Sequence, residues 1–197
     1  MDAKRELYKD GLPEYAFIRQ ALSASVSQAL EADYDLIALG GHEQAIAHRI
    51  AVYLEPRFIG YHVDCEYNRE KHKAKSRRAE EDSDKPRTMR PDIIVHVRDT
   101  SRNVLGVEMK ANANRDSADD LHKLRDLKAE KTYLYKGAAF IRIHNALEEM
   151  SDGCLRATIQ WYDVTNDLIT EQEQHRAELV FAGRRAEVTS IVERRRK

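Results

Sequence analysis

Cysteine is scarce in this chain, since Cys65 and Cys154 are its only two. Two cysteines provide neither a disulfide framework nor a zinc-binding set. Long apolar runs are also absent, and none approaches the roughly twenty residues of a membrane-spanning helix. The first residues are charged, which does not fit a signal peptide. We therefore expect a cytoplasmic protein that has no membrane partner.

A large excess of positive or negative charge is lacking as well, because the formal net charge is −1. The whole chain is thus not attracted to nucleic acid, and any such binding needs local basic patches. Gly-x-Ser-x-Gly, the motif of many serine hydrolases, does not occur. Gly40-Gly41 lacks the Lys-Ser/Thr ending of a phosphate-binding loop. These absences argue against a serine hydrolase and against an enzyme that binds nucleoside triphosphates.

The length of 197 residues suits a single domain with its own hydrophobic core. We predict a core over about residues 40–165, preceded by an N-terminal helix over 13–38 that has Pro13 in its first turn. Gly40-Gly41 separates this helix from a second one, and residues 59–68 read as a strand, in which Cys65 would be a small buried hydrophobe.

Beyond the middle of the chain, a helix is expected from Asp116 or Ser117 to Lys131. Its leucines would face inward and its basic residues would lie on or near the exposed side; these are Leu121, Leu124 and Leu127, and Lys123, Arg125 and Lys128. A buried strand should start at Gly137 and another should cover 155–162. Residues from Asp167 onward are expected to begin as a helix and to end in a basic tail at 194–197.

Two adjacent predicted strands carry acids on one side. Ile93, Val95 and Val97 form an apolar face, which leaves Asp92 on the opposite one. In the next strand Glu108 and Lys110 point the same way, and the reverse face is apolar, with Leu105, Val107, Met109 and Ala111. The pattern predicts a half-buried hairpin with two carboxylates and one ammonium group on its polar face.

The register of this hairpin decides whether the charged groups can meet. If residues 99–103 close it with Arg98 opposite Val104, Asp92 falls near Lys110 and diagonal to Glu108. Side chains in such positions are roughly 4.5–8 Å apart, within reach of one bound cation. The alternative is an ordinary hairpin whose polar face is solvated.

A third carboxylate, Glu43, stands near the start of the second helix. It precedes Ile46, Ala47 and Ile50 at spacings that place it on the apolar stripe. A carboxylate there would need a positive partner or a metal ion. A solvated acid in the first turn, favoured by the helix dipole, is the other interpretation, and the sequence leaves both open.

The order of a helix with Glu43, a strand, Pro91-Asp92, Glu108-Met109-Lys110 and a further helix resembles the PD-(D/E)XK nuclease superfamily. The resemblance covers roughly residues 40–146 and is greatest to compact single-domain members. It implies an α/β, restriction-endonuclease-like fold, which is a mixed central sheet flanked by helices in the order αβββαβ. It also implies a DNA nuclease that leaves 5′-phosphate ends.

Under this resemblance, Asp92, Glu108, Glu43 and the backbone carbonyl of Met109 would be ligands of Mg²⁺ or Mn²⁺, which prefer oxygen. The metal would neutralise the scissile phosphate and lower the pKa of a water molecule. Lys110 would orient that water or stabilise the developing charge. Gln44 and Gln160 read as surface amides.

The DNA partner would need a basic surface, and residues 69–90 provide a candidate as a charged loop. They contain nine Lys or Arg against five Asp or Glu. The residues that could contact phosphate are Lys71, Lys73, Lys75, Arg77 and Arg78. The acidic run at 80–82 argues against uniform attraction. A homodimer could grip a duplex from two sides, although no interface pattern indicates one.

Two other functions remain open. The chain could be a nucleic-acid-binding or regulatory protein that keeps the fold without cleaving, in which case it would not take up Mn²⁺. It could also be a scaffold subunit whose charged hairpin face is simply solvated. The intact set of Asp92, Glu108 and Lys110 favours the nuclease.

Overall fold

The structure, a computed structural model, describes residues 8–9, 11–70, 73–74, 89–111, 118–128, 133–144, 154–163, 168–182 and 185–196. Four α-helices lie in these ranges: α1 (Tyr15–Ala32), α2 (Tyr34–Ala38), α3 (Glu43–Leu54) and α4 (Ala118–Lys128). A short 3₁₀ helix, Glu55–Arg57, follows α3. Two small antiparallel pairs stand apart from the main sheet: β1 (Tyr8–Lys9) with β2 (Leu12–Pro13), and β4 (Arg69–Glu70) with β5 (Lys73–Ala74).

The central sheet is mixed. Its strands are β3 (His62–Cys65), β6 (Ile93–His96), β7 (Asn103–Ala111), β8 (Gly137–His144) and β9 (Cys154–Asp163), continued by β10 (Leu168–Ala182) and β11 (Arg185–Arg196). The spatial order is β11-β10-β9-β8-β7-β6-β3. Among the strand pairs that the structure describes, only β7 and β8 run parallel, and α4 lies between them in the chain, as a parallel connection requires. A mixed sheet flanked by helices was predicted, and this part of the fold is confirmed.

Helices cover both faces of the sheet. Helices α1, α2 and α3 pack on one face against apolar side chains of β6 to β9. In α1, Ile18, Leu22, Val26 and Leu30 are completely buried, as their four-residue spacing predicts. The other face is covered by α4, whose Leu124 and Leu127 pack with residues of β6 and β8. The sheet is therefore a middle layer with two separate cores.

The N-terminal helix is shorter than predicted. It begins at Tyr15, and Pro13 belongs to the short strand β2 rather than to the first turn. A break at Asp33 separates α1 from α2, which ends at Ala38. Helix α4 ends at Lys128, within the predicted helix.

The region after β9 differs from the prediction. A helix was expected from Asp167, but residues 168–182 and 185–196 form the antiparallel strands β10 and β11. The basic residues at 194–196 therefore belong to a strand and not to a frayed tail. Residues here such as Glu, Gln and Ala are good helix formers, but helix propensity is a weak signal, and pairing along the edge of β9 outweighs it.

Strand β6 pairs with β7 in a register shifted by two residues from the expected one. His96 lies opposite Asn103, an irregularity follows, and Ile93 lies opposite Val107. Continuing by one residue places Asp92 level with Glu108 instead of Lys110. Because the shift is even, every side chain keeps its predicted face. The charged groups thus share the predicted face, but the predicted partners are wrong, and the face is buried in both strands except at Lys110 instead of being half-exposed.

Among the helices described, none is long and apolar enough to cross a lipid bilayer.

Candidate active site

Asp92 is held at the end of β6 by a bond to the neighbouring strand. Its Oδ2 accepts a hydrogen bond from the backbone N–H of Met109 over 2.7 Å. Since the N–H and C=O of a strand residue point to the same side, the Met109 carbonyl also faces the Asp92 edge of β7. The predicted carboxylate and the predicted backbone ligand therefore lie on one side of the strand.

Glu108 is the most deeply buried charged residue of the site, with no exposed surface. Its Oε2 accepts a hydrogen bond from Lys123 Nζ over 2.8 Å. Its other oxygen, Oε1, is buried and has no hydrogen-bond partner among the described residues. A buried carboxylate oxygen without a partner is costly, so this atom is available to a cation or a donor.

Lys110 joins the strand to two helices. Its Nζ lies 3.4 Å from Glu43 Oε1 on α3 and 3.1 Å from Asp120 Oδ2 on α4. Glu43 Oε2 in addition accepts the backbone N–H of Ala111 over 3.1 Å. Glu43 is therefore both a first-turn acid of α3 and a partner of the site, which joins the two interpretations that the sequence left open.

Burial and crowding disturb the protonation of the two strand carboxylates. Burial raises the pKa of Asp92 to about 6, and the charge of Glu43 adds to this, against the opposing effects of Met109 N–H and of both lysines. Burial also raises the pKa of Glu108 well above its usual range, with a further contribution from Asp92. A further positive charge nearby would thus stabilise the ionised forms of both carboxylates.

The lysines show the opposite balance. Burial acts to lower the pKa of Lys110, but its hydrogen bond to Asp120 and the charges of Asp120 and Glu43 outweigh this and raise it. For Lys123, Glu108 and Asp120 likewise outweigh burial and raise the pKa. Both lysines are ammonium groups at neutral pH.

The site as a whole contains more acids than bases. Four carboxylates surround two ammonium groups, so two negative charges remain in excess when all are ionised. The six residues are Glu43, Asp92, Glu108 and Asp120, and Lys110 and Lys123. Within the described part of the chain, Asp92 makes no ion pair.

A cleft of about 260 Å³ opens beside Asp92, lined by Gln44, Ala47, Cys65 and Glu66 as well. Gln44 Nε2 donates a hydrogen bond to Glu66 Oε1, so this glutamine faces the cleft instead of bulk solvent alone. Cys65 is exposed, which corrects the expectation of a buried residue. It lies on β3, which is an edge strand of the sheet formed by the described residues.

Two residues of the site were missed by the sequence analysis. Asp120 is almost completely buried, and Lys123, expected near the exposed side of α4, contacts Glu108 and Asp120. The signal was present, because Asp120, Lys123, Leu124 and Leu127 follow the spacing of one helix face. The two polar members continue the inward-facing stripe of the two leucines.

No group of three or more His, Cys, Asp or Glu side chains is arranged to hold a metal ion in the described part of the chain. Lysine pairing accounts for this arrangement, since three of the four carboxylates contact an ammonium group. The donors nevertheless fit a divalent cation in type and in charge, and Glu108 Oε1 has no hydrogen-bond partner among the described residues.

The predicted phosphate contacts cannot be placed. Lys71, Lys75, Arg77 and Arg78 lie outside the described residues, and of Lys73 only the backbone is described, in β5. Gln160 lies on β9, partly buried.

Comparisons of this chain with protein-family models, with curated protein sequences and with solved structures gave no match.

Proposed function

We propose that this protein is a metal-dependent phosphodiesterase that hydrolyses DNA through a PD-(D/E)XK site on a restriction-endonuclease-like core. One observation carries the proposal. Glu43 pairs with Lys110, the charge of Glu43 acts on Asp92, and the charge of Asp92 acts on Glu108, a fully buried carboxylate with one oxygen that has no partner among the described residues. A solvated hairpin face would not bury these charges together.

The carboxylates would hold the metal ion. Asp92, Glu108 and Glu43, with the Met109 carbonyl, offer the oxygen donors that Mg²⁺ and Mn²⁺ prefer. The excess of negative charge and the raised pKa values of Asp92 and Glu108 indicate that a further cation would stabilise the site. When bound, such an ion neutralises phosphate charge and lowers the pKa of a water molecule.

Lys110 would act on the reacting phosphate. Contacts to Glu43 and Asp120 fix its ammonium group, and its raised pKa keeps it charged. A positive charge held in place before reaction stabilises the negative charge that develops on phosphate oxygens. Glu43 and Asp120 are thereby positioning residues for this lysine.

The proposal is tested by incubating purified protein with supercoiled and linear DNA and with Mg²⁺ or Mn²⁺. Asp92→Asn and Lys110→Met should each lose at least about a hundredfold in rate, as removal of a group that stabilises the transition state does. Asp99→Asn, in an exposed turn, and Lys128→Met, on α4, are matched controls that should retain activity. Equal rates in all five proteins would identify a contaminant and reject the assignment. An RNA substrate of the same sequence distinguishes the two nucleic acids.

Binding without cleavage is the second candidate, and the lysine pairing favours it. Three of the four acids already have an ammonium partner, and the described residues contain no three-acid group. Isothermal titration calorimetry separates the two functions. Binding of DNA with no uptake of Mn²⁺ would indicate a regulatory or binding protein.

A further inference from the structure

Lys123 provides the positive charge beside Glu108. Its Nζ lies 2.8 Å from Glu108 Oε2 and 3.1 Å from Asp120 Oδ1, and its side chain is 20% exposed. It reaches this position from α4, so it belongs to neither of the strands that carry the predicted motif.

The contact answers a requirement of Glu108. A carboxylate with no exposed surface is strongly destabilised unless a positive charge compensates it. Lys123 supplies that charge through one oxygen, while Oε1 stays without a partner among the described residues. One ammonium group therefore satisfies Glu108 only in part, and a divalent cation at the same carboxylate would satisfy it better.

Lys123 also has a second partner on its own helix. Asp120 lies three positions earlier and already accepts a hydrogen bond from the same ammonium group. If Lys123 leaves Glu108, it remains paired with Asp120 and does not become an isolated charge. Departure from Glu108 therefore costs less than the complete loss of an ion pair.

We propose that Lys123 is a resident counterion, which a divalent metal ion displaces from Glu108 when it binds. This inference rests on the proposed function, because it concerns the same site. Metal uptake then moves one ammonium group away from Glu108 and leaves it on Asp120, which also holds Lys110, so that both lysines would be available to a phosphate. Lys123 is a positioning residue before metal binding and a phosphate contact afterwards.

The first test measures the exposure of the amine directly. The full-length protein is treated with a limiting amount of acetic anhydride at fixed pH, with and without saturating Mn²⁺, and modified lysines are quantified by mass spectrometry. The rate at Lys123 should rise severalfold with Mn²⁺. Lys128, on the same helix and bonded to the Lys136 carbonyl, is the internal control and should not change.

Calorimetry under the same conditions distinguishes the two ways to fail. If Mn²⁺ binds and Lys123 labelling is unchanged or falls, the displacement is wrong while the metal-dependent function stands. If no Mn²⁺ binds, both are wrong.

A variant provides the second measurement. Lys123→Met removes the competing charge, so its Mn²⁺ Kd should fall by about tenfold, which corresponds to 1.4 kcal/mol. KM for DNA should rise at the same time because the phosphate contact is lost. An unchanged or higher Kd would overturn the proposal, and the labelling of the wild-type protein decides the question if the variant does not fold without metal.

Discussion

Asp92 accepts the backbone N–H of Met109 over 2.7 Å, so one carboxylate ties the ends of β6 and β7 together. The same group is mostly buried and lies in the field of Glu43, which opposes its ionisation. A structural bond and an electrostatic cost are therefore combined in one side chain. Asparagine at this position should remove the cost and keep the bond.

Asp92→Asn should stabilise the metal-free protein above neutral pH. The folded protein holds the Asp92 proton more tightly than the unfolded chain, with a pKa of about 6 against 3.8. The free energy of unfolding should consequently fall by up to about 3 kcal/mol as the pH rises through this interval. Asparagine retains an acceptor for Met109 N–H and has no such penalty.

Urea unfolding between pH 4 and 8 without metal checks this expectation, with Asp99→Asn as the control in an exposed turn. If the difference in unfolding free energy between Asp92→Asn and wild type does not grow with pH, the folded protein does not raise the pKa of Asp92.

Glu108→Gln should abolish the stabilisation by metal. A ligand at a hundred times its Kd stabilises the folded state by about 2.7 kcal/mol, so saturating Mn²⁺ should raise the Tm of the wild type. Glutamine has no charge with which to hold the ion, and most of the rise should disappear. Differential scanning calorimetry measures it, and Glu55→Gln in the exposed 3₁₀ turn should behave as wild type. A full Tm rise in Glu108→Gln would exclude this residue as a ligand.

Gly106→Ala should loosen the contact between β7 and α4. A Cβ at this position would lie 2.6 Å from Leu127 Cδ1, which is closer than two carbon atoms approach. Overpacking of this kind costs about 1–3 kcal/mol. Adding Leu127→Ala makes room, so the double variant should lose less stability than the sum of the two single losses. Additive losses in urea unfolding would show that Leu127 moves aside freely.

Cys65 should react slowly for an exposed thiol. Partial burial beside the cleft, together with the charges of Asp64, Asp92 and Glu66, raises its pKa to about 11. In a Cys154→Ser background at pH 8, reaction with Ellman's reagent should be slower than in the unfolded chain by about tenfold or more, because less thiolate is present. Mn²⁺ should accelerate it by neutralising Asp92. Equal rates in the folded and unfolded protein would contradict this account of the cleft.

The strand faces were predictable because successive side chains of a strand point to opposite faces of the sheet. Asp92, Glu108 and Lys110 needed only the period of two to be placed together, and an error of two residues in the register did not disturb it. The register itself depends on the turn after His96 and on the irregularity there, for which the sequence has no clear signal. The alternation of side chains thus located the site in the sequence, while the packing of the strands set the distances between its residues.

Asp120 and Lys123 were harder to recognise because charges on a helix are usually solvated. They lie inward only because β7 presents Glu108 and Lys110 to the helix face that they share. Strands β10 and β11 were missed for a related reason. They form by pairing with each other and with β9, and helix or strand propensities of single residues do not include such pairing. Both errors concern contacts between elements and not the elements themselves.

Helix α4 brings one acid and one base to the pocket, so it leaves the total charge there unaltered. Its contribution is an uneven distribution of that charge: Lys123 covers one oxygen of Glu108 and leaves the other bare. The strands and α3 thus carry the net negative charge of the pocket, whereas α4 places an ammonium group on one oxygen of Glu108. A relative in which these two helix residues were neutral would keep that net charge and leave Glu108 without its ammonium partner.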